Sequence, residues 1–267
     1  MTMSSSPEPR KKGLLDRERR RKGIYILPNL FTAAALFAGF YAIVQGMNGK
    51  FETACIFIFL AGILDGLDGR VARLTHTQSD FGAEFDSLSD MVSFGAAPAL
   101  IMYEWALKPM GKWGWAAAFI YVACAALRLA RFNTNIGIID KKFFQGIPSP
   151  AAAALVTGMI WVLNDYQVRG GDVNWLAWAV TVFAGVTMVT NIKYYSGKDI
   201  NLRGSVPFWV IPAIFVAYLV VTIEPSHVLW GLFVCYALSG YAMAIYELAK
   251  TPKKPPQPPT PSADTRP

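Results

Sequence analysis

The stretch from Asp65 to Asp90 reads D-G-L-D-G-R-V-A-R-L-T-H-T-Q-S-D-F-G-A-E-F-D-S-L-S-D. On a helix that advances about 100° per residue, five residues of its first half share a sector of about 140°: Asp65, Asp68, Gly69, Ala72 and Arg73. This spacing predicts a helix face on which two carboxylates and a guanidinium stand among small residues.

The second half of the stretch repeats the pattern on another helix. Asp86 and Asp90 are four residues apart and share one face, with Gly82 one turn before them. A short turn from Thr77 to Asp80 would bring the two faces together, so that four carboxylates converge. Because like charges repel and their desolvation is costly, such a cluster requires a positive partner.

The chemistry of these residues indicates which partner fits. Oxygen ligands without histidine or thiolate suit hard divalent cations such as Mg²⁺, Mn²⁺ or Ca²⁺. Two cations that share the carboxylates would clamp a diphosphate. Glycine and alanine leave room for a bulky ligand, and Arg73 can pair with phosphate oxygens. The stretch therefore predicts a metal-dependent site for a phosphorylated substrate.

The rest of the chain is typical of a membrane protein. Of its 267 residues, 54% are hydrophobic and 16% charged, whereas soluble domains carry about 25% charged residues. We predict an all-α integral membrane protein with about eight transmembrane helices. The predicted spans are Leu27–Gln45, Phe51–Leu74, Glu84–Trp105, Trp113–Arg131, Pro150–Leu163, Trp175–Asn191, Pro207–Ile223 and His227–Leu248.

Charge and tryptophan placement predict the orientation. With the N-terminus in the cytoplasm, 21 of the 25 lysines and arginines fall on the cytoplasmic side and four on the other side. Seven tryptophans fall at or near the outer ends of the spans, as an aromatic belt would: Trp105, Trp113, Trp115, Trp161, Trp175, Trp178 and Trp230. Both termini and the aspartate stretch are therefore expected to face the cytoplasm.

The two ends of the chain differ from this membrane region. Residues 1–26 form a basic cytoplasmic or interfacial segment. Residues 27–248 form the membrane-embedded domain. Residues 249–267 are rich in proline and are expected to form a disordered cytoplasmic tail.

The aspartate stretch resembles the signature of the CDP-alcohol phosphotransferases, D-x2-D-G-x2-A-R-x8-G-x3-D-x3-D, at all eight fixed positions. The resemblance implies two divalent ions, Mg²⁺ or Mn²⁺, and a homodimer. It implies that metal is bound by Asp65, Asp68, Asp86 and Asp90. It further implies that Asp90 is the general base, and that the nucleotide and diphosphate site is lined by Gly69, Ala72, Arg73 and Gly82.

Flanking stretches resemble the phosphatidylserine synthases of that family: Ile26–Thr32, Ala126–Asn133 and Phe144–Ala153. This resemblance implies transfer of a phosphatidyl group from CDP-diacylglycerol to L-serine at the cytoplasmic face of the cell (inner) membrane. Membrane lipids are the expected further partners, and binding of nucleic acid is not expected. Arg128 and Arg131 lie three residues apart on one helix face, where they could hold the serine carboxylate or a lipid phosphate. The alternative is that they only fix the topology, with their charged ends at the membrane interface.

Other functions remain open at this point. The acceptor could be glycerol 3-phosphate, inositol or inositol phosphate. An ion-coupled transporter is disfavoured because the carboxylates lie near one membrane face, whereas transporters bind cargo near the midplane. A phospholipase-D-like enzyme needs an H-x-K pattern, but His76 is followed by Thr77 and Gln78.

Overall fold

The computed structural model describes residues 11–75, 77–134, 143–195 and 209–250, and most of them are helical. The chain begins with α1 (Lys11–Met47), α2 (Phe51–Thr75) and α3 (Asp80–Asp90). A π-helical turn (Met91–Ala96), α4 (Ala97–Met102), a second π-helical turn (Tyr103–Leu107) and a 3-10 turn (Lys108–Met110) follow. The remaining elements are α5 (Lys112–Thr134), β1 (Phe143–Gln145), α6 (Ser149–Asp165), a 3-10 turn (Gly170–Val173), α7 (Asn174–Val189), β2 (Lys193–Tyr195), α8 (Val210–Ile223) and α9 (Pro225–Lys250).

The predicted all-α fold is confirmed, and each predicted span falls on a helical segment wherever it is described. The third span comprises α3, α4 and the π-helical turns between and after them. Among the described residues, four helices are long and apolar enough to cross a membrane: Leu27–Met47, Lys112–Thr134, Gly170–Val189 and Pro225–Glu247. The full set of eight spans remains a prediction, since α6 is short and the segments around the aspartates carry charges.

The ends of the chain fall partly outside the described residues. The predicted boundary between the basic segment and the membrane-embedded domain, after residue 26, lies inside α1, which begins at Lys11. The described chain ends with α9 at Lys250, so the proline-rich tail predicted from residue 249 lies almost entirely beyond it.

Helix α6 forms the centre of the bundle. Nearly all of its residues from Ser149 to Val162 are buried, and it packs against α2, α7 and α9. Alanine is the commonest buried hydrophobic residue in the described chain. Small side chains let helices approach closely, which is how helices associate where no hydrophobic effect drives them together.

Helix α1 packs along α2 and against the first π-helical turn. Ser89 and Ser93 donate hydrogen bonds to the carbonyls of Thr32 (3.2 Å) and Ala35 (3.1 Å) in α1. A Cβ on Gly39 would lie only 2.7 Å from Cα of Ser93. The helix that carries Asp86 and Asp90 is thus held closely against α1.

A short antiparallel pair of strands, β1 and β2, joins the loops at the end of the bundle where α5, α7 and α9 finish. No sequence pattern predicts this strand pair. Buried Tyr194 donates to the carbonyl of Ala237 at 3.0 Å, and burial raises the pKa of its phenol, which therefore remains a neutral donor. This bond fixes the strand pair to α9.

Candidate metal and phosphate site

The connection between α2 and α3 is a compact turn. Ser79 caps α3 by accepting a hydrogen bond from the backbone N–H of Gly82 at 3.1 Å. The N–H of buried Thr77 donates to the carbonyl of Ala72 at 3.1 Å. Asp80, predicted to end the turn, is the first residue of α3. The turn brings the C-terminal end of α2 beside α3.

This turn brings together the carboxylates whose convergence the spacing predicted. Asp65, Asp68 and Asp86 each offer an oxygen, and these atoms all lie within 4.8 Å of one another. The side chain of Asp65 also contacts Asp90. Two carboxylates from α2 and two from α3 therefore form one acidic cluster.

The acidic cluster fits a hard divalent cation. Its donors are all carboxylate oxygens, the ligand type that such ions prefer. Within the described residues, Oδ1 of Asp86 is a buried side-chain oxygen with no hydrogen-bond partner. A buried acceptor without a partner is costly, and a cation would satisfy it.

A cavity of about 470 Å³ adjoins the acidic cluster between α1, α2 and α3. All four residues predicted to contact the nucleotide line it: Gly69, Ala72, Arg73 and Gly82. Among the described residues, a Cβ on Gly69 would meet only the Arg73 guanidinium, at 3.6 Å, so the space there is open to a ligand. A Cβ on Gly82 would press on Ser79 Oγ at 3.1 Å, so this position also keeps the turn compact.

A family model described as CDP-alcohol phosphatidyltransferase matches residues 25–190. The chain belongs to this family. A Helicobacter pylori protein named CDP-diacylglycerol–serine O-phosphatidyltransferase is 40% identical over 216 residues, which cover 80% of this chain and 90% of that protein. A Mycobacterium tuberculosis protein of the same name is 30% identical over 227 residues, covering 82% and 78% respectively.

Among solved structures, the crystal structure of Mycobacterium tuberculosis phosphatidylinositol phosphate synthase with CDP-DAG bound is similar, with a TM-score of 0.44 and 22% identity. The match covers 67% of this chain and 94% of that one. This likeness is too distant to transfer geometry.

Some residues that shape the site of this CDP-alcohol phosphatidyltransferase were not assigned a role from sequence. Thr32 of α1 donates a hydrogen bond to Oδ2 of Asp68 at 2.8 Å, and Asn29 lines the cavity. Asn133 donates to Ser87 Oγ at 3.0 Å and so joins the end of α5 to α3. These residues are distant in sequence from the aspartates, and only the resemblance of the Ile26–Thr32 and Ala126–Asn133 stretches drew attention to their segments.

The two arginines of α5 have different surroundings. Arg131 donates to the Val189 carbonyl (3.1 Å), Gln145 Oε1 (2.6 Å) and Asn191 Oδ1 (3.1 Å). It therefore holds the strand pair and the end of α7.

Arg128 lies within electrostatic range of the acidic cluster. It donates to Ser149 Oγ at 3.2 Å and to the Gln145 carbonyl at 3.5 Å, and its guanidinium is close enough to Asp90 for electrostatic attraction. Arg128 is therefore attracted to the predicted general base, whereas the hydrogen bonds of Arg131 commit it to the strand pair and the end of α7.

Proposed function

We propose that this protein transfers the phosphatidyl group of CDP-diacylglycerol to L-serine, giving phosphatidylserine and CMP. The observation that carries the proposal is the acidic cluster at the wall of a cavity that also presents Arg73. The family supports the reaction class, and the names of the relatives from Helicobacter and Mycobacterium support serine as acceptor.

The donor is expected to bind with its diphosphate in the cavity. Gly69, Ala72 and Gly82 leave space for the nucleotide, and the Arg73 guanidinium pairs with phosphate oxygens. Two divalent ions, Mg²⁺ or Mn²⁺, would be held by Asp65, Asp68, Asp86 and Asp90. When bound, they would supply charge neutralisation of the diphosphate and of the attacking and leaving oxygens.

Asp90 is proposed to remove the proton of the serine hydroxyl. The serine oxygen then forms a bond to the phosphorus that bears diacylglycerol, and the bond from that phosphorus to the CMP oxygen breaks. A positioned general base contributes about 10²–10⁴-fold to such a step. Arg128, which is attracted electrostatically to Asp90, would bind the serine carboxylate, a pairing suited to the planar guanidinium. Arg131 stays a weaker candidate because it already makes three hydrogen bonds to the protein.

The enzyme is further proposed to cross the cell (inner) membrane eight times as a homodimer, with residues 27–248 embedded. The four long apolar helices and the charge distribution support this arrangement. The acidic cluster, the strand pair and both termini would then lie on the cytoplasmic side.

The proposal is tested with purified protein in detergent by following CMP release from CDP-diacylglycerol. We expect release with L-serine and much less with glycerol 3-phosphate, inositol or inositol phosphate. EDTA should abolish release, and Mg²⁺ or Mn²⁺ should restore it. A preference for another acceptor would refute serine as the acceptor but not phosphatidyl transfer as the reaction. Full activity after chelation would refute the metal requirement.

A further inference from the structure

Thr32 occupies a position between the two halves of the acidic cluster. Its hydroxyl lies 2.8 Å from Oδ2 of Asp68 on α2, and its carbonyl accepts from Ser89, the neighbour of Asp90. The side chain is 4% exposed and lines the same cavity as Asp68 and Asp86. One residue of α1 is therefore bonded to both segments that carry the carboxylates.

A buried threonine inside a helix usually bonds only the carbonyl four residues earlier. Thr157 and Thr181 do so in this chain, at 2.8 Å and 2.7 Å. Thr32 has that acceptor too, the Pro28 carbonyl at 3.2 Å, but the Asp68 carboxylate is nearer. Since bonds to charged acceptors are shorter and stronger, the single hydroxyl proton belongs to Asp68.

We infer that Thr32 is a positioning residue for the metal ligands, an inference that rests on the proposed metal site. The hydrogen bond holds Asp68 in one orientation, and a carboxylate oxygen that accepts one bond retains a lone pair for a cation. Partners that orient ligands in this way typically change metal affinity by about 10–100-fold when removed. Thr32 would not touch the reacting atoms.

The test is direct binding of Mn²⁺ to the purified protein without substrate, followed by electron paramagnetic resonance. Thr32→Val keeps the shape but removes the donor, and we expect the Kd for Mn²⁺ to rise by about 10–100-fold. Thr32→Ser retains the hydroxyl and should bind close to the native affinity. Thr157→Val is the matched control, because Thr157 is equally buried but lies outside the cavity.

Thermal unfolding in metal-free buffer separates the two roles. If Thr32 had only a structural role, Thr32→Val would unfold at a lower temperature but keep the native Kd for Mn²⁺. This result would overturn the inference. If Thr32→Val did not fold, Thr32→Ser and Thr32→Ala would carry the comparison, with weak binding expected only for Ala. Native protein that bound no Mn²⁺ would refute the metal site itself. If the native protein, Thr32→Val and Thr157→Val all bound Mn²⁺ with the same Kd, the role of Thr32 would be refuted but the metal site would not.

Discussion

The Asp68 carboxylate accepts a hydrogen bond from Thr32, whereas Oδ1 of Asp86 is buried with no hydrogen-bond partner in the described part of the chain. Asp90 contacts Asp65 and lies near the Arg128 guanidinium. The carboxylates thus differ in what surrounds them, although they are close in space. These differences allow ligand and base roles to be tested separately.

Replacement of Asp90 by asparagine should reduce turnover with little effect on donor binding. The amide cannot take a proton from serine, so we expect a loss of about 10²–10⁴-fold in kcat. The affinity for CDP-diacylglycerol, measured by titration on the same preparation, should stay near the native value. Asp65→Asn is the comparison, since it should weaken both. Near-normal turnover in Asp90→Asn would mean that another group accepts the proton.

Replacement of Arg128 by lysine should raise the KM for L-serine. Lysine keeps the charge but cannot bind a carboxylate through two parallel hydrogen bonds. Hydrogen bonds to charged groups contribute about 1.5–3 kcal/mol, so we expect an increase of about 10–100-fold with a smaller change in kcat. Arg131→Lys is the control and should lower the unfolding temperature without a comparable change in KM. An unchanged KM in Arg128→Lys would show that the serine carboxylate binds elsewhere.

The elements that build the site are α2 and α3, with α1 packed across them. Close contact between α1 and the π-helical turn after Asp90 depends on Gly39, where a Cβ would clash with Ser93 Oγ and lie 2.7 Å from Ser93 Cα. Tyr121 of α5 donates to the Phe94 carbonyl in the same turn at 3.0 Å. The π-helical turn is thus held from both sides.

Gly39→Ala should destabilise the protein. The added methyl group meets backbone as well as side chain, and overpacking of this kind costs about 1–3 kcal/mol. Gly231→Ala in α9 is a matched control, because no described residue comes within 4 Å of its Cβ position and alanine favours helix there by about 1 kcal/mol. Thermal unfolding in one detergent should show a lower midpoint for Gly39→Ala and an unchanged or higher one for Gly231→Ala. Equal midpoints would show that α1 can shift away from the turn.

The helices and the acidic cluster could be predicted because both depend on local spacing. Apolar runs set helix positions, and four carboxylates within 26 residues of chain meet across one short turn. The Thr32–Asp68 bond spans 36 positions, and the strand pair joins residues about 50 apart, so both depend on how helices pack. Different roles for Arg128 and Arg131 also could not be predicted, because three-residue spacing places both on one helix face.

At the scale of the whole molecule, the ion pairs and loop contacts of the described residues lie at the two ends of the bundle. At one end lie the acidic cluster, the strand pair and the Lys193–Glu247 ion pair. At the other end lie the hydrogen bond from Trp178 to the Trp113 carbonyl and that between His227 and Tyr166. Large apolar side chains are exposed along the helices between them. This division is what a membrane-spanning bundle requires, since charges and irregular backbone are costly within hydrocarbon.

The same division gives a test of orientation by single-cysteine labelling. Cysteines 55, 124 and 235 would first be replaced by alanine, and one cysteine would then be introduced at each end. Gly171 suits the outer loop because no atom in the described part of the chain lies within 4 Å of its Cβ position, whereas a Cβ on Gly170 would clash with the Trp105 carbonyl. Lys250, exposed at the end of α9, suits the cytoplasmic side.

With 21 basic residues predicted inside and four outside, the charge bias requires opposite accessibility at these two positions. In intact cells, a membrane-impermeant maleimide should label Gly171→Cys but not Lys250→Cys. In inverted vesicles the pattern should reverse. Activity of both variants would confirm that each is folded. Removal of one lysine among the basic residues predicted on the cytoplasmic side should not change the orientation in which the protein inserts into the membrane. Labelling of Gly171→Cys only from the cytoplasmic side would overturn the eight-span arrangement, because the loop between α6 and α7 would then share a side with the acidic cluster.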